Sequence, residues 1–243
     1  MTSRDRILGR IRAATGTGPA TPADVVAAYA ALPRPYLSAH HDPAGHDIVA
    51  LFAERAADYR AVVERVAPSD VPAAITRVLA QRADEAGHVR AEFSAHAAEN
   101  SAQEPSGDPG VGFVVPEGLA GEWLGAWPES VAQVRDVPEL SAARLDELAG
   151  VVTGCAVAIA ETGTIVLDHG AGQGRRALTL VPDFHLVIVR ADQVEPDLAG
   201  AFARLDPGRP QTLISGPSAT SDIELTRVEG VHGPRTLHVL LAG

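Results

Sequence analysis

The sequence predicts an α/β protein: a three-layer, open, mostly parallel sheet preceded by an N-terminal helical arm. Three observations carry that prediction. From Asp47 onward, segments with helical spacing alternate with short apolar runs rich in Val and Ile, the pattern of a sheet covered by helices on both faces. Residues 151–167 contain two such runs around Glu161-Thr162-Gly163-Thr164, which reads as a strand, a tight turn using Gly163 for φ > 0, and a second strand. The 243 residues are 46% hydrophobic, enough to fill a sizeable core.

Within the first strand of that hairpin, period-two alternation puts Val157, Ile159 and Glu161 on one face and Ala156, Ala158 and Ala160 on the other. The alanine face admits a helix or a ligand at close range, and the opposite face ends in a carboxylate. A carboxylate at the end of an apolar strand needs a donor, a cation or a chemical task.

Taken in order, residues 3–14 form a short amphipathic helix, with Ile7, Leu8 and Ile11 on one side and Arg4, Arg6, Arg10 and Arg12 around it. Thr21 followed by Pro22, with Asp24 in the first turn, starts a second helix over residues 22–32 that Pro33 and Pro35 stop. Residues 1–46 are therefore an arm and linker, and 47–243 the main domain. His40, His41, Asp42, His46 and Asp47 lie close together, but their spacing matches no metal signature and reads as a solvated connector; no metal site is expected.

A helical stripe through Ile48, Leu51 and Phe52 is followed by a strand at 59–66. Ser69 or Asp70 caps a helix that ends near Gly87. A strand at 88–93, a surface excursion at 94–110, a strand at 111–115, a helix at 117–127, a strand at 130–134 and a Ser141-capped helix to Leu148 are expected next. After the hairpin, Gly170-Ala171-Gly172-Gln173-Gly174 ends in Arg175 and Arg176, and an apolar strand-like run follows. The glycine spacing and context fail the dinucleotide fingerprint. Free amides beside a bidentate Arg still suit phosphate or carboxylate, while a flexible tip with solvated arginines explains the loop equally well.

A strand at 185–190 opens on His185, and a surface helix spans 196–205. Residues 212–224 read as a strand, a Gly216-Pro217 turn, then Ser218 and a cap-rich start of a short helix with Asp222, a potential anion pocket. His232 sits between Gly230 and Gly233 in a loop before the last strand, 237–242, where an imidazole is well placed for proton transfer. In an open sheet of this kind the ligand crevice is expected beyond the carboxyl ends of the strands.

Bulk properties remove several function classes. The net charge of −11 argues against nucleic acid. All 20 basic residues are Arg, which removes Schiff-base and P-loop lysine chemistry. The single cysteine, Cys155, reads as a buried, inert thiol and excludes internal disulfides and Cys-based clusters held by this chain alone. Neither a secretory leader nor a membrane span is recognisable, and a cytoplasmic protein is expected.

The succession Ala160-Glu161-Thr162-Gly163-Thr164, Pro182 with His185, Gly216-Pro217-Ser218 with Asp222-Ile223-Glu224, and Gly230-Val231-His232-Gly233-Pro234 resembles the LUD domain of the lactate utilization protein C family. The resemblance covers about residues 47–243. It implies a fold similar to the NagB/RpiA/CoA-transferase group and a bacterial role beside an iron–sulfur protein and a cysteine-rich protein in oxidising L-lactate to pyruvate. The chain would be a non-redox subunit without a cofactor of its own. Glu161, His185 and His232 are the candidate catalytic residues. Thr162, Gly163, Thr164, Arg175, Arg176, Gly216, Ser218, Asp222 and Gly233 are candidates for holding a small anionic substrate. The alternative is an independent CoA-transferase-like or phosphosugar-isomerase-like enzyme using Glu161 as nucleophile or base.

Overall fold

A computed structural model of the chain describes residues 2–15, 21–34, 45, 47–98, 111–220, 228–229 and 233–243. The chain divides into two compact units, Met1–Leu37 and Ser38–Gly243. The first holds α1 (Ser3–Thr15) and α2 (Pro22–Ala30). Thr21 caps α2 by accepting from the Asp24 amide, and Asp24 accepts from the Thr21 amide in return, satisfying two of the free donors of the first turn.

In the second unit, among the described residues, six strands form one all-parallel sheet: β1 (Val62–Val66), β2 (Gly112–Val115), β3 (Ala132–Arg135), β4 (Gly150–Thr153), β7 (Phe184–Arg190) and β12 (Thr236–Ala242), in the order β1-β12-β7-β4-β2-β3. A second sheet of four strands has the order β8 (Val194–Glu195), β5 (Val157–Ile159), β6 (Thr164–Leu167), β9 (Thr212–Ile214). A short antiparallel pair joins β10 (Ala219–Thr220) to β11 (Val228–Glu229). This is the mostly parallel α/β architecture expected, with a smaller sheet beside it that periodicity did not reveal.

Side-chain alternation along β7 assigns the two faces. Phe184, Leu186 and Ile188 meet Val71, Ile75, Val78 and Leu79 of α4 (Val71–Ala98). On the other face, Val187 and Val189 join Phe52 and Ala56 of α3 (Ile48–Asp58) and Ala158, Ala160 and Ile165 of the hairpin. The hairpin's outer residues, Val157, Ile159 and Val166, pack on Ala201 and Leu205 at α6 (Leu198–Arg204). The alanine face of the hairpin does accept a helix at close range, and that helix is α3.

Several local expectations are corrected. Residues 88–93 belong to α4, which continues to Ala98; the Ala, Glu and Arg of this run are strong helix formers, and Gly87 costs only about 1 kcal/mol inside a helix. The helix expected at 117–127 is a turn with Gly118 at φ +79° and a 3₁₀ turn at Gly121–Leu124, because glycines at 118, 121 and 125 weaken a helix repeatedly. The strand expected from Tyr59 starts at Val62, after Arg60 takes φ +70°. The apolar run after Arg175 is a 3₁₀ turn, Arg176–Thr179. Ala219 and Thr220 are extended rather than a helix start, and residues 221–227 lie outside the described residues. Residues 151–160, read as one strand, divide at Gly154–Ala156 between the two sheets.

Candidate functional site

A cleft of about 140 Å³ opens between the two sheets at the amino-terminal ends of β7 and β12. It is lined by His185 and Leu237 from those strands, Arg176 and Thr179 from the 3₁₀ turn, Leu213–Ser218 from β9 and its turn, and Gly233-Pro234. The turn is held tightly: Gly216 has φ +83° and a Cβ there would stand 2.5 Å from the Tyr59 carbonyl oxygen. The Ser218 amide donates to the Pro234 carbonyl at 2.8 Å. The glycines of this segment thus serve close backbone approach.

His185 is 1% exposed. Its Nε2 lies 2.7 Å from Thr153 Oγ1, and among the described residues Nδ1 meets no partner. Burial first, and the Arg176 charge second, push its pKa down to about 3, so the imidazole is neutral at physiological pH. The Arg176 guanidinium is exposed at the cleft and, among the described residues, makes neither an ion pair nor a hydrogen bond. Ser215 Oγ lies 2.8 Å from Thr164 Oγ1, which lies 2.7 Å from Thr162 Oγ1. That hydroxyl chain ties the hairpin turn to the cleft wall.

Arg175 is elsewhere. Its Nε and Nη2 donate to Asp136 at 2.7 and 2.9 Å, and Nη2 also donates to the Leu140 carbonyl. Burial would raise the Asp136 carboxyl, but the Arg175 hydrogen bonds, the Leu140 amide and the guanidinium charge outweigh it and hold the group below its ordinary value. The pair sits in a shallower depression of about 410 Å³ beyond the carboxyl ends of β2 and β3, with Glu117, Glu139, His169 and Gly170. The Gly-rich loop is braced internally. Asp168 accepts from the Gly170 amide and Gln173 Nε2 and pairs with Arg209 at 3.0 Å, while the Gly172 amide donates to the Glu117 carbonyl. Its amides at 170, 172 and 173 are committed within the protein, and so is the bidentate face of Arg175.

Of the residues singled out by sequence, Arg176, His185, Gly216, Ser218 and Gly233 come together in the cleft. Glu161, Thr162, Gly163 and Thr164 form the hairpin turn beside it. Glu161 is half-buried, its amide donates to the Pro196 carbonyl, and it is not part of the cleft wall. His232 and Asp222 lie outside the described residues, as do His40, His41, Asp42 and His46; Asp47 caps α3 by accepting from the Ala50 amide at 2.9 Å. The cleft is at the amino ends of β7 and β12, opposite to where strand topology alone placed it. Thr179, Leu213 and Leu237 also line it, and nothing in their local sequence marks them, because only the meeting of segments distant in the chain brings them there. Cys155 is buried, and burial pushes its thiol up to about 12, as an inert cysteine requires.

The fold is α/β with a mostly parallel central sheet, and residues 129–242 match the LUD domain. Lactate utilization protein C of Deinococcus radiodurans is 43% identical over 201 residues, 81% of this chain and 80% of that protein. Lactate utilization protein C of Bacillus pumilus is 39% identical over 92 residues, 34% of this chain and 38% of its own length. The crystal structure of a DUF162 family protein from Deinococcus radiodurans superposes with a TM-score of 0.58 at 36% identity, covering 81% of this chain and 97% of that one. The chain belongs to the lactate utilization protein C family of LUD-domain proteins.

Proposed function

We propose that this chain is a non-redox subunit of a bacterial L-lactate utilization system, acting in the cytoplasm beside an iron–sulfur protein and a cysteine-rich protein that take the electrons as L-lactate becomes pyruvate. The observation that carries this reading is the 43% identity, across four-fifths of both chains, to a protein named lactate utilization protein C. A single cysteine, buried and with its thiol pushed up to about 12, suits a subunit that leaves electron carriage to others. Residues 47–243 are the LUD domain in this reading and 1–46 an arm. The ligand site is the cleft with Arg176 and His185, where a free guanidinium offers bidentate contact to a small anion. Glu161 stands outside that cleft, so no observation favours its use as a nucleophile by an independent transferase or isomerase.

Reconstitution with the two partner proteins tests the assignment. L-lactate-dependent reduction of the iron–sulfur centres should need this chain, and an unchanged rate when it is left out would remove the role.

A further inference from the structure

We propose that the cleft at the amino-terminal ends of β7 and β12 is a site for a short 2-hydroxy monocarboxylate, with Arg176 taking the carboxylate and His185 Nδ1 meeting the hydroxyl on C2. The proposal rests on the reading of this cleft as the chain's ligand site and adds the chemical class of the ligand.

Charge comes first. The chain carries 31 acidic residues against 20 basic ones, and Arg175, one residue away, is saturated by Asp136. Arg176 nevertheless has no acid or carbonyl partner among the described residues and borders the cleft. Its fork matches a carboxylate in two parallel hydrogen bonds. The imidazole beside it is uncharged, so the two side chains together balance one negative charge. A phosphate dianion or a dicarboxylate would be left under-neutralised there.

The second polar group is His185. It is 1% exposed, its Nε2 is taken by Thr153, and its Nδ1 is left without a protein partner among the described residues. Among the described residues the fully buried side-chain atom without a partner is His238 Nε2 rather than His185 Nδ1, so Nδ1 keeps an accessible hydrogen-bonding position that a ligand oxygen can fill. A hydroxyl can donate or accept, and therefore pairs with Nδ1 whichever way the Thr153 contact sets the tautomer. Leu213, Ile214 and Leu237 supply the apolar wall for a short alkyl group.

Size limits the ligand further. The cleft measures about 140 Å³, and a cavity of roughly 150 Å³ takes benzene, a molecule of about six non-hydrogen atoms. L-lactate has that many; coenzyme A esters and sugar phosphates do not fit within it.

The test titrates the full chain with L-lactate, propionate and inorganic phosphate by calorimetry, and follows the histidine ring nitrogens by NMR. L-lactate should bind saturably and roughly tenfold more tightly than propionate, which lacks only the hydroxyl. Phosphate should bind more weakly than L-lactate. L-lactate but not propionate should move the His185 Nδ1 resonance, a readout that needs no substitution in the core. Arg176→Gln, at an exposed position, should keep the fold and lose both carboxylates. Equal affinity for L-lactate and propionate, a preference for phosphate, unchanged L-lactate binding in Arg176→Gln, or no saturation up to roughly 10 mM would each overturn the proposal. Loss of L-lactate oxidation on omitting the chain, together with no L-lactate binding by the chain alone, would keep the subunit role and discard this ligand class.

Discussion

Burial makes His185 a different reagent from the one its position in the sequence suggests. An imidazole at the start of a strand reads as a candidate acid or base, but with its pKa pushed down to about 3, by burial first and by Arg176 second, it is poorly matched to proton transfer near neutrality. It serves instead as a neutral hydrogen-bonding group. The sign of the consequence for stability follows. Below the ordinary value of about 6.5 the unfolded chain takes up a proton here that the folded chain refuses. The contribution is therefore whole above pH 6.5 and declines as pH falls towards about 3. In His185→Gln that decline should be missing. The difference in unfolding free energy between wild type and variant, measured in urea from pH 7.5 to 4.5, should be flat at the upper end and shrink at the lower. His238, whose pKa is lowered by burial first and then, against the pull of Glu64, by Arg77 and Arg82, is present in both proteins and cancels. A difference that stays constant across this range would mean that His185 is not held neutral. None of this is legible in sequence, where Arg175 and Arg176 also look alike; a contact with Asp136, 39 residues away, separates them.

The hairpin β5–β6 is the element whose local pattern held within the strand itself. Alternation assigned Ala156, Ala158 and Ala160 to one face and Val157, Ile159 and Glu161 to the other. The structure lays Ala158 and Ala160 on α3 and Val157 and Ile159 on α6, but packs Ala156 with the α6 side, because Ala156 and Glu161 lie outside the strand and its alternation. Gly163 has the positive φ expected of the turn, +59°. Its second constraint was not visible: a Cβ there would stand 2.5 Å from the Ala56 amide nitrogen and 2.5 Å from the Arg55 carbonyl carbon, so the turn is pressed onto the last turns of α3. Gly163→Ala should cost more than about 2 kcal/mol in a urea unfolding experiment, the left-handed conformation and the backbone overlap adding together. Gly9→Ala is the matched control. It lies inside α1 with nothing within 4 Å of its added methyl, and helix propensity favours alanine there by up to about 1 kcal/mol. Equal urea midpoints for wild type and Gly163→Ala would contradict the close hairpin–α3 contact. Helix α4 shows the opposite case. Its strand-like stretch at 88–93 is helical because good helix formers extend a helix already anchored by Val71, Ile75, Val78 and Leu79, an influence from outside any short window.

At the scale of the molecule, the alternation of helices and strands announced a parallel sheet, and nothing local said that the chain leaves it. The second sheet arises because Gly154–Ala156 releases the backbone from β4 and lets β5 pair with β6 and β8, a choice made by partners up to tens of residues away. The same distance dependence hides the cleft, where the register pair Leu237↔His185 of β12 and β7 meets β9 and its turn from the other sheet. The division between arm and LUD domain was read from composition, and the core gives it a physical boundary to test. Phe52 and Ala56 of α3 are 0% and 1% exposed against β7, β12 and the hairpin, so α3 belongs to the core, and Asp47 is its cap. A chain of residues 47–243 should therefore unfold as one cooperative transition. Beginning at residue 60 should abolish that transition, because removing Phe52 alone uncovers a ring whose loss from a core costs about 3–5 kcal/mol, and the whole apolar face of α3 leaves with it. Circular dichroism on heating, with size-exclusion chromatography to separate folded chain from aggregate, reads both outcomes. A non-cooperative 47–243 would show that residues before Asp47 are part of the folding unit.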